Sequence, residues 1–398
     1  MSTLPAMRAV LVLAFPLALN ACGAPRQGAA AGAAPTAPAP APAPQPLAAS
    51  SLPAVLCDVT GSQSPLGQQA QLGALLALRE AAAGGAVDGT LLVDTASVPA
   101  TAVELARAAA GSRGYGIGFT DSDMALAGVP AFTGAGRPFV VIGATDPTLP
   151  ARCGQGTFLA CFGDDAQAVA GAEFGAASFG RRAAVVFDSR SDYSRTLAGF
   201  FRTHLGSALE GSAIAEFDVA SVAIPAIPPH LVEMGSAIDF VYLALGPEDV
   251  PAAIHAVRSA LPVTPIVGGD SLDFPGVEVA NGLPVDAVWF TTHAWLGQGA
   301  DAGAAAFAES FARSFRTPPT AFAALGYDAA RLAIDARRRA GSDDPSAIAA
   351  ALAATRDFRG VTGRMDFSAG PVPRKDVWVV AVSGGGRSLA RRSPSGVR

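Results

Sequence analysis

Short aliphatic and β-branched runs alternate with longer Ala- and Leu-rich stretches along most of the chain. Three of these runs occupy residues 139–142, 184–187 and 240–243, and each is followed by a segment that contains Gly, Asp or Ser. Continuous apolar runs of this length, separated by helices, are typical of parallel strands that are buried on both faces. The pattern therefore predicts an α/β fold.

Small polar residues stand just after several of the apolar runs, where the loops of a parallel sheet lead into helices. Ligands of such sheets gather at this edge, because free N–H groups of the helix N-termini point towards it. Hydroxyls and carboxylates in these positions favour a small, hydrogen-bonded ligand over a lipid. The polar segments are residues 60–64, 121–122, 144–146, 188–193 and 268–271.

The first 51 residues lack this alternation. Arg8 precedes an apolar run over residues 9–19 that is too short to cross a bilayer, so we predict a signal peptide over residues 1–22. The run ends in Leu-Asn-Ala-Cys, which resembles the bacterial lipobox and predicts lipidation of Cys22. Ordinary signal cleavage that discards Cys22 is the alternative. Residues 23–51 consist mainly of Ala, Pro, Gly and Gln, which predicts an extended linker.

An acylated cysteine followed by a tether predicts an exported protein, held at the periplasmic face of a bacterial membrane by its lipid alone. With Cys22 assigned to the lipid, Cys57, Cys153 and Cys161 remain. The short separation of the last two and the oxidising compartment predict a disulfide between Cys153 and Cys161. Cys57 lies in an apolar run and is predicted to be a buried thiol.

The charged residues argue against several classes of function. The chain has 33 acidic and 28 basic residues, a net charge of −5, and no basic cluster, which argues against a nucleic-acid partner. Lys375 is the single lysine, so Schiff-base chemistry is not expected. The four histidines are isolated and are interpreted as surface or helix-end residues, so we expect neither a metal site nor a cofactor.

A catalytic function is not expected either. Residues 269–272 read Gly-Asp-Ser-Leu, as in a family of serine esterases, but that family needs an Asp-x-x-His near the end of its catalytic domain. The last histidine is His293, and Phe290 stands three residues before it. We interpret the block as a coincidence of a short motif, so the chain is not predicted to be an enzyme.

Several further motifs are weak singly but specific in their joint order. They are residues 60–61 with Gly67, 92–94, Gly118 with Ser122, 144–147, Asp188 with Tyr193, 268–270, 326–330 and 358–363. The strongest is Gly-Tyr-Asp-Ala-Ala at residues 326–330. With these motifs, residues 54–382 resemble the periplasmic solute-binding proteins of ABC importers that are related to the leucine/isoleucine/valine-binding proteins.

The resemblance implies the two-lobe α/β fold of type 1 periplasmic binding proteins. Each lobe is a mostly parallel sheet flanked by helices, and three hinge crossings join the lobes around the ligand. The first lobe would comprise residues 52–164 and 293–361, and the second would comprise residues 165–292 and 362–386. We expect residues 387–398 to form a flexible tail.

The resemblance also implies a set of ligand-binding residues. In amino-acid binders of the family, a serine holds the ligand carboxylate, and a carbonyl, a threonine and an acidic residue hold its ammonium. Ser122 matches the serine and Asp270 the acidic residue. Gly143 and Thr145 match the carbonyl and the threonine, and Tyr193 matches an aromatic residue that flanks the ligand. Such a set fits a zwitterion, because donors complement a carboxylate and Asp270 compensates an ammonium away from water.

Other positions depart from the family pattern. Leu66 stands where an aromatic residue is common, and Leu245 and Gly246 replace an aromatic residue of the pocket. Ser194 follows Tyr193 in place of the usual glycine. A pocket with fewer aromatic rings is roomier or differently shaped, so the resemblance does not fix the ligand.

Two functions remain open. In the first, a monomeric, lipid-anchored solute-binding protein closes around a small zwitterion, an amino acid or an amide-like compound, and delivers it to an ABC permease. The retained Ser122, Thr145 and Asp270 favour this function. In the second, an envelope lipoprotein uses the same fold as an interaction or sensor module without a transported solute. The altered aromatic positions leave this second function open.

Overall fold

The computed structural model describes residues 53–82, 90–280 and 283–395. The predicted signal peptide, the predicted lipidation site Cys22 and the predicted linker lie outside these residues. In the part of the chain that is described, no helix combines the length and the apolar character that a membrane crossing needs.

The first part of the body forms a parallel sheet with its connecting helices. Its elements are β1 (Ala54–Cys57), α1 (Ser64–Ala81), β2 (Leu91–Asp94), α2 (Pro99–Ser112), β3 (Gly116–Gly118), α3 (Ser122–Thr133), β4 (Phe139–Val141), α4 (Leu149–Cys153) and β5 (Thr157–Leu159). The strands lie in the order β2-β1-β3-β4-β5, and all neighbours are parallel. Every residue of β1, β3 and β4 is buried, as the continuous apolar runs predict.

A second parallel sheet follows with its own helices. Its elements are α5 (Asp164–Ser178), β6 (Arg182–Phe187), α6 (Asp192–Ala208), β7 (Ala213–Asp218), α7 (Ile227–Met234), β8 (Phe240–Ala244), α8 (Val250–Ala260), β9 (Ile266–Gly268), β10 (Val279–Ala280), β11 (Leu283–Pro284) and β12 (Val288–Thr292). The strands β7-β6-β8-β9-β12 are adjacent in that order and parallel. The short strands β10 and β11 form a separate antiparallel pair.

After β12 the chain returns to the first lobe. It adds α9 (Ala302–Phe315), α10 (Ala321–Ala340), α11 (Pro345–Ala353), β13 (Phe358–Gly360) and β14 (Gly363–Met365). Two glycines let α10 pack closely along α1. A Cβ atom on Gly73 would lie 1.8 Å from Ala323 O, and one on Gly326 would lie 2.0 Å from Ala70 O. The glycine of the motif at residues 326–330 is therefore required by helix packing.

The last two strands complete the second sheet. β15 (Val377–Ser383) pairs antiparallel with β12, and β16 (Gly386–Ser393) pairs antiparallel with β15. The prediction of a flexible tail is therefore wrong for residues 387–393. Charged side chains of this edge strand have partners: Arg387 Nη1 lies 2.5 Å from Asp273 Oδ1, and Arg392 lies 5.0 Å from the centre of the Trp378 ring. Such charges are common on edge strands, where they oppose further pairing.

The chain passes between the two sheets three times, which confirms the predicted two-lobe architecture. The crossings are residues 160–163 between β5 and α5, 293–301 between β12 and α9, and 366–376 between β14 and β15. They contact one another. The rings of Phe162 and His293 stack with their centres 3.8 Å apart, and Lys375 Nζ donates to Ala160 O at 2.7 Å. The exact lobe limits given above stay predictions.

The predicted disulfide between Cys153 and Cys161 is not formed, and the cysteines at 57, 153 and 161 are free and buried. Cys153 Sγ lies 3.8 Å from Ala125 O, whereas Cys161 Sγ lies 3.3 Å from Ala144 O. Strand β5 separates the two thiols. Extended chain advances about 3.3 Å per residue, and a disulfide needs Cα atoms within about 7 Å. The close spacing in sequence is therefore not close spacing in the fold.

Candidate functional site

Side chains of the two lobes meet where strands of both sheets end, and we call this region the interlobe edge. Gln63, in the loop after β1, donates from Nε2 to Oε2 of Glu248, in the loop after β8, at 3.3 Å. Asp123, near the start of α3, accepts from Ser191 Oγ at 3.1 Å, just before α6 begins. The two lobes are therefore closed against each other at this edge.

Asp270 lies at the interlobe edge, at the start of a 3-10 turn that follows β9. Its carboxylate is almost completely buried, with 2% of the residue exposed. Oδ1 accepts from Gln167 Nε2 at 3.0 Å and from the Tyr193 hydroxyl at 2.9 Å, and Oδ2 bonds His293 Nε2 at 2.8 Å. A carboxylate offers about four acceptor positions, so these three bonds leave one.

Gln167 of α5 connects Asp270 to the first crossing and to β12. Its Oε1 accepts from the Asp270 N–H at 3.0 Å and from Thr291 Oγ1 at 2.8 Å. Its Nε2 also donates to Asp164 Oδ1 at 2.7 Å and lies 3.5 Å from Thr145 Oγ1. Burial, with the negative charge of Asp270 beside it, raises the pKa of Asp164 well above its ordinary value.

His293 belongs to the second crossing and is fully buried, so its interpretation as a surface or helix-end residue is wrong. Burial lowers the pKa of His293, and the hydrogen bond to Asp270 opposes this shift. The neutral ring donates from Nε2 to Asp270. Phe162 stacks on one face, and Phe322 makes an edge contact at 5.8 Å. The histidine thus joins the hinge to the carboxylate predicted to bind ligand.

The remaining predicted residues lie on the first lobe. Ser122 is the first residue of α3 and fully buried, and its Oγ accepts from the Asp146 N–H at 3.4 Å. Gly143 follows β4, where a Cβ atom would lie 2.8 Å from the Phe322 ring. This glycine is therefore needed for packing, since Phe322 supports His293.

The structure thus brings the five predicted residues to one edge. Hydrogen bonds of Gln167 join Thr145 to Asp270, which Tyr193 contacts directly. The ligand-binding role of the five stays a prediction. Gln167 and His293 were missed from the sequence. His293 directly follows an apolar run at an expected lobe crossing, and that position is a signal of burial.

The esterase-like block has no catalytic arrangement. Ser271 Oγ donates to Leu245 O at 2.6 Å, so the hydroxyl is used in joining two loops. His293 bonds Asp270 rather than Ser271. A serine nucleophile needs a base within hydrogen-bond reach, and the histidine here serves the neighbouring carboxylate.

A second set of carboxylates lies at the interlobe edge, and only Asp121 of this set stood among the polar segments singled out from the sequence. Asp58 follows β1, Asp121 precedes Ser122, and Glu248 faces them from the second lobe; we call these three the acidic group. Burial and the negative charges of Asp123, Asp58 and Glu248 raise the pKa of Asp121 to about 8. All three residues of the acidic group come shortly after an apolar run that predicts a strand, and this position was a signal in the sequence.

The acidic group does not form a metal site. Among residues 53–82, 90–280 and 283–395, no three His, Cys, Asp or Glu side chains are arranged to hold a metal ion.

Comparisons with known proteins agree with this geometry. A family model described as periplasmic binding protein matches residues 54–387. A search of curated proteins found no match.

Solved structures also resemble the chain. A leucine-binding protein LivK from Thermotoga maritima is 26% identical, with a TM-score of 0.77, and the alignment covers 86% of this chain and 98% of that one. A branched-chain amino acid binding protein LivJ from Streptococcus pneumoniae, in complex with isoleucine, is 24% identical over 86% and 98% of the two chains, with a TM-score of 0.75. A solute-binding protein from R. palustris, in complex with benzoate, is 24% identical over 87% and 97%, also with a TM-score of 0.75.

Proposed function

The chain belongs to the periplasmic binding protein family, and from this premise we propose that it binds a small zwitterionic solute between its lobes and delivers it to an ABC permease. The observation that carries the proposal is one hydrogen-bonded network at the interlobe edge, in which Gln167 joins Thr145 to Asp270 and Asp270 also accepts from the Tyr193 hydroxyl. The remaining acceptor position of Asp270 suits an ammonium group. Ser122, at the start of α3, suits a carboxylate.

Closure of the lobes is the signal in this proposal. A ligand that contacts both lobes stabilises the closed arrangement by its differential affinity for it. The permease then recognises the closed form. Lipidation of Cys22 would hold the monomeric protein at the membrane while the linker of residues 23–51 leaves the body free to move. Cys22→Ser should therefore release the protein from membrane fractions, and a variant that stays anchored would contradict the lipobox interpretation.

One observation favours a second candidate, an envelope lipoprotein that uses the fold as an interaction or sensor module. Asp270 accepts hydrogen bonds from three side chains of the protein itself, Gln167, Tyr193 and His293. A carboxylate satisfied by the protein has less to gain from an ammonium. Solute binding therefore has to be measured.

The test is a thermal-shift screen of the mature protein, freed of carried-over solute, against amino acids, amides, urea and short carboxylates. A ligand that binds only the folded state at a hundred times its dissociation constant adds about 2.7 kcal/mol to the free energy of unfolding. We expect an increase in Tm with one class of zwitterion. If folded protein shows no shift with any compound, the interaction module becomes the better function.

A further inference from the structure

The acidic group brings carboxylates of both lobes close enough to act on one another electrostatically. Asp58 follows β1 and Asp121 lies shortly after β3. Because β1 and β3 are neighbours in the first sheet, the two residues lie at the same edge of it. Glu248 is brought to them from the second lobe by its 3.3 Å hydrogen bond with Gln63. Asp121 is also next in sequence to Ser122. The acidic group therefore adjoins the residues proposed to hold the ligand.

The carboxylates of this group have no basic partner in the part of the protein that the structure describes. Asp58 is fully buried and Asp121 is 8% exposed, whereas Glu248 is exposed at the rim. Within the described ranges, no arginine or lysine forms an ion pair with any of the three. The neighbouring charges that act on Asp121 are all negative, from Asp123, Asp58 and Glu248. Buried charges in proteins are normally paired.

Unsatisfied polar atoms give an independent indication. Asp58 Oδ1 accepts from Thr95 Oγ1 at 2.6 Å and from the Ser97 N–H at 3.1 Å, but its buried Oδ2 has no partner among the residues the structure describes. Thr120 Oγ1, next to Asp121 and also buried, is likewise without a partner there. Buried polar atoms almost always have partners, so these two atoms are the acceptors that a bound group would use.

The chemistry of these acceptors selects the bound group. Carboxylate and hydroxyl oxygens on two lobes suit a donor that carries several N–H bonds and a positive charge. An ammonium offers three such donors and a guanidinium five, and hydrogen bonds from them to carboxylates are the strong, charge-assisted kind. A metal ion is not suited, because the described carboxylates do not cluster tightly enough to hold one.

We propose that the solute is an amino acid with a positively charged side chain, whose ammonium or guanidinium lies among Asp58, Asp121 and Glu248. This inference rests on the proposed function, with the α-carboxylate at Ser122 and the α-ammonium at Asp270. An aliphatic or an aromatic acid in the same place would leave the acidic group uncompensated. The cation also supplies donors for Asp58 Oδ2, which the protein leaves unpaired.

Calorimetric titration of the solute-free mature protein at pH 8 tests the inference with five probes. L-Arginine and L-lysine carry the cation, L-citrulline is the neutral counterpart of arginine, L-leucine is aliphatic, and agmatine is arginine without its carboxylate. We expect arginine or lysine to bind at least tenfold more tightly than citrulline, leucine and agmatine.

The outcomes separate this inference from the proposed function. If citrulline or leucine binds as tightly as arginine and lysine, the inference that the solute has a cationic side chain is wrong, whereas the proposed solute-binding function stands. Agmatine binding as tightly as arginine would overturn the amino-acid assignment. Absence of binding by all amino acids, the neutral ones included, would overturn both proposals together.

Two variants locate the cation. Asp121→Asn removes the charge but keeps a helix N-cap, since Asn caps as well as Asp. It should weaken arginine or lysine binding at least tenfold and leave citrulline binding unchanged.

Asp301→Asn is the matched control, because Asp301 caps α9 through the Ala304 N–H at 2.9 Å in the same way. Glu248→Gln, at the exposed rim, is the second variant and should weaken the cations severalfold. Unchanged affinity in both site variants would overturn the assignment.

Discussion

The two sets of carboxylates at the interlobe edge differ in what satisfies them. Asp270 accepts hydrogen bonds from Gln167, Tyr193 and His293, and all four side chains are buried. The acidic group has no cationic partner in the described chain, and burial together with the negative charges of Asp123, Asp58 and Glu248 raises the pKa of Asp121. The carboxylate of the first set has three donors within the protein, whereas the second set, in our proposal, takes its donors from the bound solute.

This difference separates preorganisation from affinity. A carboxylate that accepts from three buried donors holds those neighbours in one geometry, so the Asp270 network fixes the hinge side of the site. An unsatisfied carboxylate destabilises the empty protein, and the free energy is recovered when a complementary ligand arrives. Functional sites often carry such a cost in stability. Substitutions in the two sets should therefore change stability in opposite directions.

The largest expected effect is that of Asp270→Ala. The change removes the common acceptor of Gln167, Tyr193 and His293 and leaves three buried donors without it. Each unsatisfied buried donor costs about 1–3 kcal/mol, so the free energy of unfolding should fall by about 3 kcal/mol or more. Denaturant unfolding measures the loss. Solute affinity should fall as well.

Asp270→Asn is the control for this prediction, because it keeps an acceptor oxygen and the side-chain shape. It should retain more stability than Asp270→Ala. If the alanine variant unfolds at the wild-type denaturant concentration, the network is not a structural unit and the comparison fails.

The second effect has the opposite sign. Asp121 keeps its proton up to about pH 8 in the folded protein, whereas an unfolded chain releases it near pH 4. The folded state therefore binds more protons, and its stability falls as the pH rises between these values. Asp121→Asn should stabilise the solute-free protein at pH 8 by about 1–3 kcal/mol and have little effect near pH 4. Thermal unfolding at both pH values measures the effect, with Asp301→Asn as the control. If Asp121→Asn is less stable than wild type at pH 8, the interpretation is wrong.

The contrast also shows what the sequence can predict. Apolar runs predicted the strands, because a strand buried on both faces needs continuous apolar residues. The position of Asp270 after such a run predicted its place at the edge. The partners of Asp270 were not predictable, since Gln167 and His293 are more than twenty residues from it in the chain and meet it only after the lobes form.

Two wrong predictions have the same origin, because both rest on local sequence alone. Cys153 and Cys161 are close in sequence, yet β5 carries them apart. Residues 387–393 look like a tail because they are charged, yet β15 offers an unpaired edge and Asp273 offers a partner for Arg387. The sequence shows each residue of the acidic group, but only the folded structure shows that no basic side chain of the described residues is paired with them.

His293 gives a smaller effect that depends on pH. Burial lowers its pKa in the folded state, so below about pH 6.5 the unfolded chain binds more protons and stability is lost as the pH falls. His293→Gln keeps a donor at the same position and cannot titrate. Between pH 7 and pH 5, the free energy of unfolding should fall by about 1 kcal/mol less in the variant than in wild type. His255→Gln, at an exposed position, is the control, and equal pH dependence in all three proteins would contradict the prediction.

The smallest effect compares two threonines that follow adjacent strands of the first sheet. Thr120 Oγ1 is buried and without a partner in the described chain, whereas Thr145 Oγ1 lies 3.5 Å from Gln167 Nε2 and hydrogen-bonds Asp164. Removing an unpaired buried hydroxyl relieves a desolvation cost, so Thr120→Val should stabilise the empty protein by up to about 1 kcal/mol. Thr145→Val removes a paired hydroxyl and should destabilise it by about 1 kcal/mol. Denaturant unfolding of both variants gives the two signs. If both variants change the free energy of unfolding in the same direction, the Asp270 network and the acidic group do not differ in how the protein satisfies them. The comparison of the two sets would then be wrong.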